Sequence, residues 1–506
     1  MKRVLLSIVL MMSLCVSVCA YDFTVDKIYY NILPTGHEVE VTHNGDGVEG
    51  EYDAYNRNRY TIPESVTYEG ITYTVVRIGD SAFRLSTRLR ELTLPATITS
   101  IGDKAFYFCT QLQTIEIPSG VLSIGEMAFF NCFSLASLQI PASVTTIGQG
   151  AFMKCTALSV LNIDANNRSY CCVNKVIYSK DKSVIVEALP TLSGRYNVPE
   201  TVTRIEKNAF EFCTGLTEVN FNENLREIGD FAFYYCTGLT SLTLPQSLEK
   251  LGFGAFFFCD KVTSVVLNEN LKSVGNRAFS NMRSLVDVEI NGSNIALAES
   301  MFSNCIKLKT LTCNDAKIRT IEDFAFMGCS ALTVVSYPLS LTSIGEYAFA
   351  NCIKLRELTF GYHIENIADY AYDNTPRIRT INVIAEEPPV LYENTFIDAI
   401  YETAQLNVPV GCQSVYAAAE YWRNFGKMSE YDTAVDEIEQ DENSLRVSVQ
   451  NGSIKVYGVA TDTQVSIYGA AGTLIYIATA SQVELIKLPQ GIYIVCVGNQ
   501  SSKVAI

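Results

Sequence analysis

The sequence predicts a solenoid, a parallel β-sheet assembled one short strand per coil and closed at each end by a β-rich cap. Three observations carry this. Ala-Phe or a close variant recurs at Phe83, Phe106, Phe129, Phe152, Phe210, Phe233, Phe256, Phe279, Phe302, Phe326, Phe349, Tyr372 and Phe396, with a step of 23 or 24 residues except at one jump. An alternating apolar segment stands at a fixed distance before each pair. The chain is 506 residues long and 48% hydrophobic, too apolar for disorder and long enough for several cores unless one unit is repeated.

Residues 1–20 place Lys2 and Arg3 before an apolar run from Val4 to Val18 and end in small residues ahead of Tyr21. That is the pattern of a cleaved export signal, and the run is short for a membrane-spanning helix. Lipidation at Cys15 or Cys19 would call for a small residue before the cysteine, where Leu14 and Val18 stand. Cleavage at this point would change the net charge from −16 to −18. Either value repels polyanions, so nucleic acid is excluded as a natural partner, and no other stretch is long and apolar enough to span a bilayer.

Residues 21–78 read as the N-terminal β cap, with strand-like VDKIYYNIL, VEVTHNGDG and SVTYEGITYTVVRIG. From 79 to 385 the unit is L-x-x-L-x-L-P-x-x-I-x-x-I-G-x-x-A-F-x-x-C, seen in LRELTLPATITSIGDKAFYFCTQ from Leu89. The alternation directs Leu92 and Leu94, or Leu242 and Leu244, inward from a strand that the following proline stops. Ile101, the turn residue Gly102, and then Ala105 and Phe106 form the return path, with Phe106 filling the far side of the core. One coil cannot cover its own apolar face, so neighbouring coils must stack.

The jump from Phe152 to Phe210 is one repeat plus an insertion at about 164–198. VIYSKDKSVIVEALP within it reads as a β-hairpin turning at Ser179 to Lys182 and projecting from the solenoid. Residues 386–430 form a C-terminal cap, where Trp422, the single tryptophan, belongs to packing. An acidic linker, 431–443, leads to residues 444–506, whose alternating strands outline a small antiparallel β-sandwich.

Nine cysteines, Cys109, Cys132, Cys155, Cys213, Cys236, Cys259, Cys305, Cys329 and Cys352, each follow their phenylalanine by three residues. Stacking would hold their Cβ atoms one coil apart, at ~4.8 Å, beyond the ~3.8 Å that a disulfide prefers. They are therefore read as a ladder of buried thiols that face nearby backbone groups. A line of ligands, one per coil, does not surround a zinc ion tetrahedrally. With only His37, His43 and His363 available, histidine general-base catalysis and multi-histidine metal centres are also excluded.

Outward strand positions such as Thr93, Glu116, Gln139, Asn162, Asn220 and Thr243 are small and mostly uncharged, and contain no nucleophile–base set or phosphate-cradling loop. No catalytic, cofactor-binding or metal-binding residue is assigned, and the chain is read as a non-enzyme. The candidate partner-binding residues are instead aromatic: Tyr107 and Phe108, then Phe212, Tyr234, Tyr235, Phe257 and Phe258, just after the core phenylalanines. Later coils place Ser280, Asn281, Ser303 and Asn304 there. Two readings stay open: an outward contact patch, or packing between coils on the outer side.

The repeat, with its I-P, I-G, A-F and C positions, resembles the BspA-type bacterial leucine-rich repeat over roughly residues 75–385, and the caps resemble those of that family. The resemblance implies a leucine-rich repeat solenoid on an exported, surface-associated or secreted protein. It further implies adhesion to host matrix proteins or other bacteria without a cofactor. A glycan-binding accessory of a surface polysaccharide-uptake system is the alternative. Residues 444–506, with Gly491 to Val495 and Lys503 to Ile506, resemble the C-terminal sorting domain of type IX secretion cargo in Bacteroidetes.

Overall fold

In the computed structural model, residues 21–44, 55–291, 294–314, 317–338 and 340–431 are described, together with strands between 446 and 505. The export-signal reading of 1–20 and nearly all of the acidic linker lie outside the described residues. The chain divides into two compact units, Met1–Lys175 and Val176–Ile506.

In the first unit, Phe23–Val25, Ile28–Ile32 and Glu38–Thr42 run antiparallel. Glu38–Thr42 then pairs in parallel with Ile71–Ile78. From there the sheet continues in parallel through the two-residue strands Ser100–Ile101, Ser123–Ile124 and Thr146–Ile147, the I-x-x-I-G segment of successive coils. The L-x-L segments pair separately: Arg59–Thr61 with Glu91–Thr93 and then Thr114–Ile115, and Ser137–Ile140 with Val160–Ile163.

The second unit repeats the plan. Ser264–Leu267, Asp287–Asn291 and Thr310–Asn314 are parallel neighbours in register. So are Val334–Ser336, Glu357–Phe360, Thr380–Val383, Gln405–Pro409 and Lys427–Tyr431. The C-terminal cap adds the short helices Asp398–Thr403 and Gln413–Ala418. It also buries Trp422, whose indole N–H donates to the Pro389 carbonyl at 2.7 Å. Beyond 445, Arg446–Gln450 and Ser453–Tyr457 form one antiparallel sheet, and Leu474–Thr479, Gln464–Gly469, Ile492–Val497 and Gln500–Ala505, in that spatial order, form another.

The core of each unit is a stack of the repeated phenylalanines. Phe106 and Phe129 lie 5.0 Å apart and nearly parallel; Phe210 and Phe233 lie 4.7 Å apart, and the series runs on to Tyr372 and Phe396 at 5.2 Å. All are essentially inaccessible, so each coil covers the aromatic face of its neighbour. Of the residues expected to point inward, Leu92, Leu242 and Leu244 are buried and Leu94 is half-buried at the strand end.

The glycine of I-G is set by its neighbour. A Cβ on Gly125 would come within 2.5 Å of both the Gly102 carbonyl carbon and the Asp103 amide nitrogen. The close approach lets Asp103 Oδ1 accept the Glu126 backbone N–H at 2.8 Å, one coil on. The same bond recurs from Phe253 N to Asp230 and from Glu346 N to Asp323.

The insertion does not project. Val176–Ser179 and Val184–Ala188 do pair antiparallel around the Asp181 turn. However, Val184–Ala188 also joins the parallel sheet beside Arg204–Ile205, and Ser193–Asn197 pairs with Gly215–Asn220. Ile177, Ile185 and Leu189 are fully buried and Tyr196 lies 5.4 Å from Phe210. The expectation of an external arm is corrected: its alternating apolar residues supply an irregular coil that covers the phenylalanine stack.

Candidate binding surface

Each coil turns around its Ala-Phe pair through two residues with left-handed backbone, two before and two after the phenylalanine. Around Phe106 they are Lys104 and Phe108, with φ of 54° and 61°. The alternation aims peptide groups along the stack, so the N–H groups of Lys104, Phe106 and Phe108 donate to the carbonyls of Glu126, Ala128 and Phe130. Backbone pairing between coils therefore imposes positive φ whatever the residue.

Asparagine and glycine accept that conformation most readily, and Asn131, Asn281, Asn304, Gly328, Asn351 and Asn374 hold the second position in their coils. Phe108, Phe212, Tyr235 and Phe258 hold the same position at φ near 60°. Bulky residues there are strained by about 1 kcal/mol each. None of these four is fully buried, and Tyr235 is 38% exposed. They occupy the position against its backbone preference and without the return of full burial.

In the second unit they form a stripe across adjacent coils. Phe212 lies 5.4 Å from Tyr235, and Tyr235 lies 5.1 Å from Phe258. Tyr234 and Phe257, one position earlier, are 5.5 Å apart and border it. In the first unit Tyr107 and Phe108 pack against Phe130 at 4.8 and 5.6 Å, with the Arg84 guanidinium 5.5 Å from the Tyr107 ring. Stacking between coils and exposure to solvent thus coexist at these positions. Desolvation, followed by the nearby Glu211 charge, raises the Tyr234 hydroxyl above its ordinary pKa.

A second aromatic series escaped the sequence reading. Two residues before the core phenylalanine stand Phe231, Phe324, Tyr347 and Tyr370, and Tyr347 stacks on Tyr370 at 4.9 Å. The 23-residue step was its signal, obscured because Lys104, Met127 and Gly150 fill the position in earlier coils.

The ladder cysteines are buried free thiols. Cys109 Sγ donates to the Phe83 carbonyl at 3.0 Å, and Cys236 Sγ to the Phe210 carbonyl at 3.1 Å. Cys213 reaches Leu189 only at 3.6 Å, because the irregular coil precedes it. Burial drives the Cys109, Cys236 and Cys259 thiols well above their ordinary pKa, which keeps them protonated and unreactive. Among the described residues no grouping of three or more His, Cys, Asp or Glu side chains could hold a metal ion, and no helix is long and apolar enough to cross a membrane.

The strand face remains polar. Asn407 donates to Asn382 at 2.8 Å and accepts from Ser429 at 3.0 Å, a ladder that satisfies its own amides. Thr93, Glu116, Gln139, Asn162, Asn220 and Thr243 are exposed there, and Val266 adds an apolar side chain.

The BspA type leucine rich repeat region (6 copies) matches residues 63–177, 194–309 and 284–401. No curated protein matches the chain. Among solved structures, a leucine-rich repeat protein from Eubacterium ventriosum is 22% identical, with a TM-score of 0.50 over 69% of this chain and 93% of that one. One from Bacteroides ovatus is 25% identical, with a TM-score of 0.49 over 77% and 100%. A leucine rich cell surface protein from Faecalibacterium prausnitzii is 23% identical, with a TM-score of 0.32 over 57% and 94%. The repeat match spans well over half of the chain, and with the stacked parallel coils it places this protein in the BspA-type leucine-rich repeat family.

Proposed function

We propose that the protein is exported and works at the cell surface or outside the cell by binding other proteins, host matrix or bacterial surface proteins among them, without catalysis. The observation that carries the reading is the stripe of Phe212, Tyr235 and Phe258, partly exposed on backbone that favours asparagine. Aromatic rings lose little conformational entropy on contact and supply both apolar area and, in tyrosine, a polar tip. Membership of a BspA-type family and the export pattern of residues 1–20 support it, and the tail 444–506 would act as a sorting domain.

The test compares the mature chain with a Phe212→Asn/Tyr235→Asn/Phe258→Asn variant for binding to immobilised fibronectin, fibrinogen, collagen and purified bacterial surface proteins. Specific binding that the variant loses while keeping a cooperative melt supports the reading. Equal binding by both proteins, or binding by neither, overturns it.

A further inference from the structure

On the turn face of the second unit, the rings that follow the core phenylalanine end at Phe257 and Phe258, and a ring two residues before the core position next stands at Phe324. The two coils in between carry Ser280-Asn281 and Ser303-Asn304, where the three preceding coils place Phe212, Tyr234-Tyr235 and Phe257-Phe258. Three coil steps at ~4.8 Å separate the walls by about 14 Å. The gap is a groove of about 350 Å³ with Phe257 and Phe324 at its ends and Arg277, Asn281, Glu299 and Asn304 among its lining. That volume is at the lower end of the ~300–1,000 Å³ typical of small-molecule sites.

The floor is preorganised. Buried Ser280 donates from Oγ to the Ser303 carbonyl at 3.1 Å and accepts the Asn281 side-chain N–H at 2.9 Å. Asn281 and Asn304 sit at φ of 56° and 59°, which asparagine accepts, so the floor holds its shape at little strain. Phe324, by contrast, keeps an aromatic ring at φ 59° while only partly buried. Arg277 is exposed, its guanidinium 5.8 Å from the Phe253 ring, and among the described residues it forms no ion pair. The Glu299 carboxylate accepts the Asn276 side-chain N–H at 3.0 Å and keeps its second oxygen for another donor.

We infer that this groove binds a neutral oligosaccharide, one or two pyranose rings lying between Phe257 and Phe324 with their hydroxyls on Arg277, Glu299, Asn281 and Asn304. A pyranose has an apolar C–H face that suits an aromatic ring, and a rim of hydroxyls that each donate and accept. The groove supplies both: rings at its ends, and between them a cationic donor, a carboxylate acceptor and two amides. Glu299, with Glu322 hydrogen-bonded to its backbone N–H at 3.0 Å, opposes a polyanionic glycan. A purely apolar segment laid over the groove would strip water from the Arg277 guanidinium and the Glu299 carboxylate without replacing it. The site meets the Phe212–Tyr235–Phe258 stripe at one coil, where Phe257 lies 4.4 Å from Phe258, and the rest of its lining belongs to the next three coils, so it does not depend on the protein-binding reading.

The test is a glycan microarray probed with the full mature chain, followed by titration calorimetry of the best neutral oligosaccharide against wild type, Arg277→Asn, Phe324→Asn and Tyr235→Asn. Asparagine suits the left-handed backbone at the first two positions, so both variants are expected to fold. Each should weaken binding at least tenfold, and Tyr235→Asn should leave it within twofold. Hydrogen exchange on wild type, with and without the sugar, should show protection confined to residues near 257, 277–281, 299–304 and 324, and reads the site even if a variant fails to fold. No neutral glycan bound, binding of acidic glycans alone, or protection elsewhere would overturn the assignment.

Discussion

The Cys132 thiol donates to the Phe106 carbonyl, 26 residues earlier, at 3.2 Å. The bond adds a second donor to a carbonyl that already accepts the Cys109 N–H at 3.1 Å, and it repeats wherever a regular coil precedes the cysteine, as at Cys259 with Phe233 and Cys352 with Phe326. Cys132→Ala should therefore cost about 1–2 kcal/mol, combining a small cavity with the loss of a weak second hydrogen bond to a carbonyl that keeps its backbone partner. Urea denaturation of the variant checks this, and the same change at Cys213, where the contact is long, should cost less.

Stability should fall in mild alkali. Burial pushes the Cys305 and Cys352 thiols up to about 12 from an ordinary 9.0, and drives Cys236 and Cys329 well above it. A raised folded pKa gives stability that is complete below pH 9 and is lost as pH climbs toward 12, because the unfolded chain releases its protons first. Each such thiol contributes about 1.4 kcal/mol per pH unit inside that window. Tm measured from pH 7 to 10.5 should be flat to about pH 8.5 and then drop, and Cys305→Ala/Cys352→Ala should shallow the drop.

Gly125→Ala should be far more damaging than its chemistry suggests. The new methyl would meet backbone of the preceding coil at 2.5 Å, so the coils must separate and the Asp103 to Glu126 bond must lengthen. A loss of roughly 3 kcal/mol or more is expected, as for severe overpacking. At Gly36, where a Cβ meets nothing within 4 Å, only the strain of φ 81° applies and the loss should be near 1 kcal/mol. Thermal melts of the two variants separate these cases.

Deleting residues 176–198 should unfold neighbouring coils instead of trimming a loop. Arg204–Ile205 would lose one of its two strand partners and become a sheet edge, and Phe210 would lose the cover of Tyr196. Ile177, Ile185 and Leu189 would each forfeit about 2 kcal/mol of burial. A broadened, lowered melting transition is the expected result; an unchanged one would show that the segment is dispensable to the core.

Tyr235→Asn should barely change stability. Relief of a left-handed ring at φ 60° offsets the loss of contacts with Phe212 and Phe258, both effects being near 1 kcal/mol. Differential scanning calorimetry should place Tm within a few degrees of wild type.

The repeat was legible because its physics is local and periodic. Spacing alone identifies Phe106 and Phe129 as stacked neighbours, and Cys109 and Cys132 as members of one ladder, since register repeats every coil. The fold class and the polar strand face follow from the same period. The insertion was not legible: VIYSKDKSVIVEALP is a hairpin by local preference, and only the long-range pairing of Val184–Ala188 with Arg204–Ile205 makes it a coil of the core. The left-handed backbone at Phe108 and Tyr235 was likewise hidden, because the coil-to-coil hydrogen bonds impose it against residue preference. The groove between Phe257 and Phe324 joins residues from four successive coils, and a cavity exists only once stacking fixes which side chains face one another. Sequence determined what each coil is; tertiary stacking decided what neighbouring coils present together, because that depends on geometry between residues far apart along the chain.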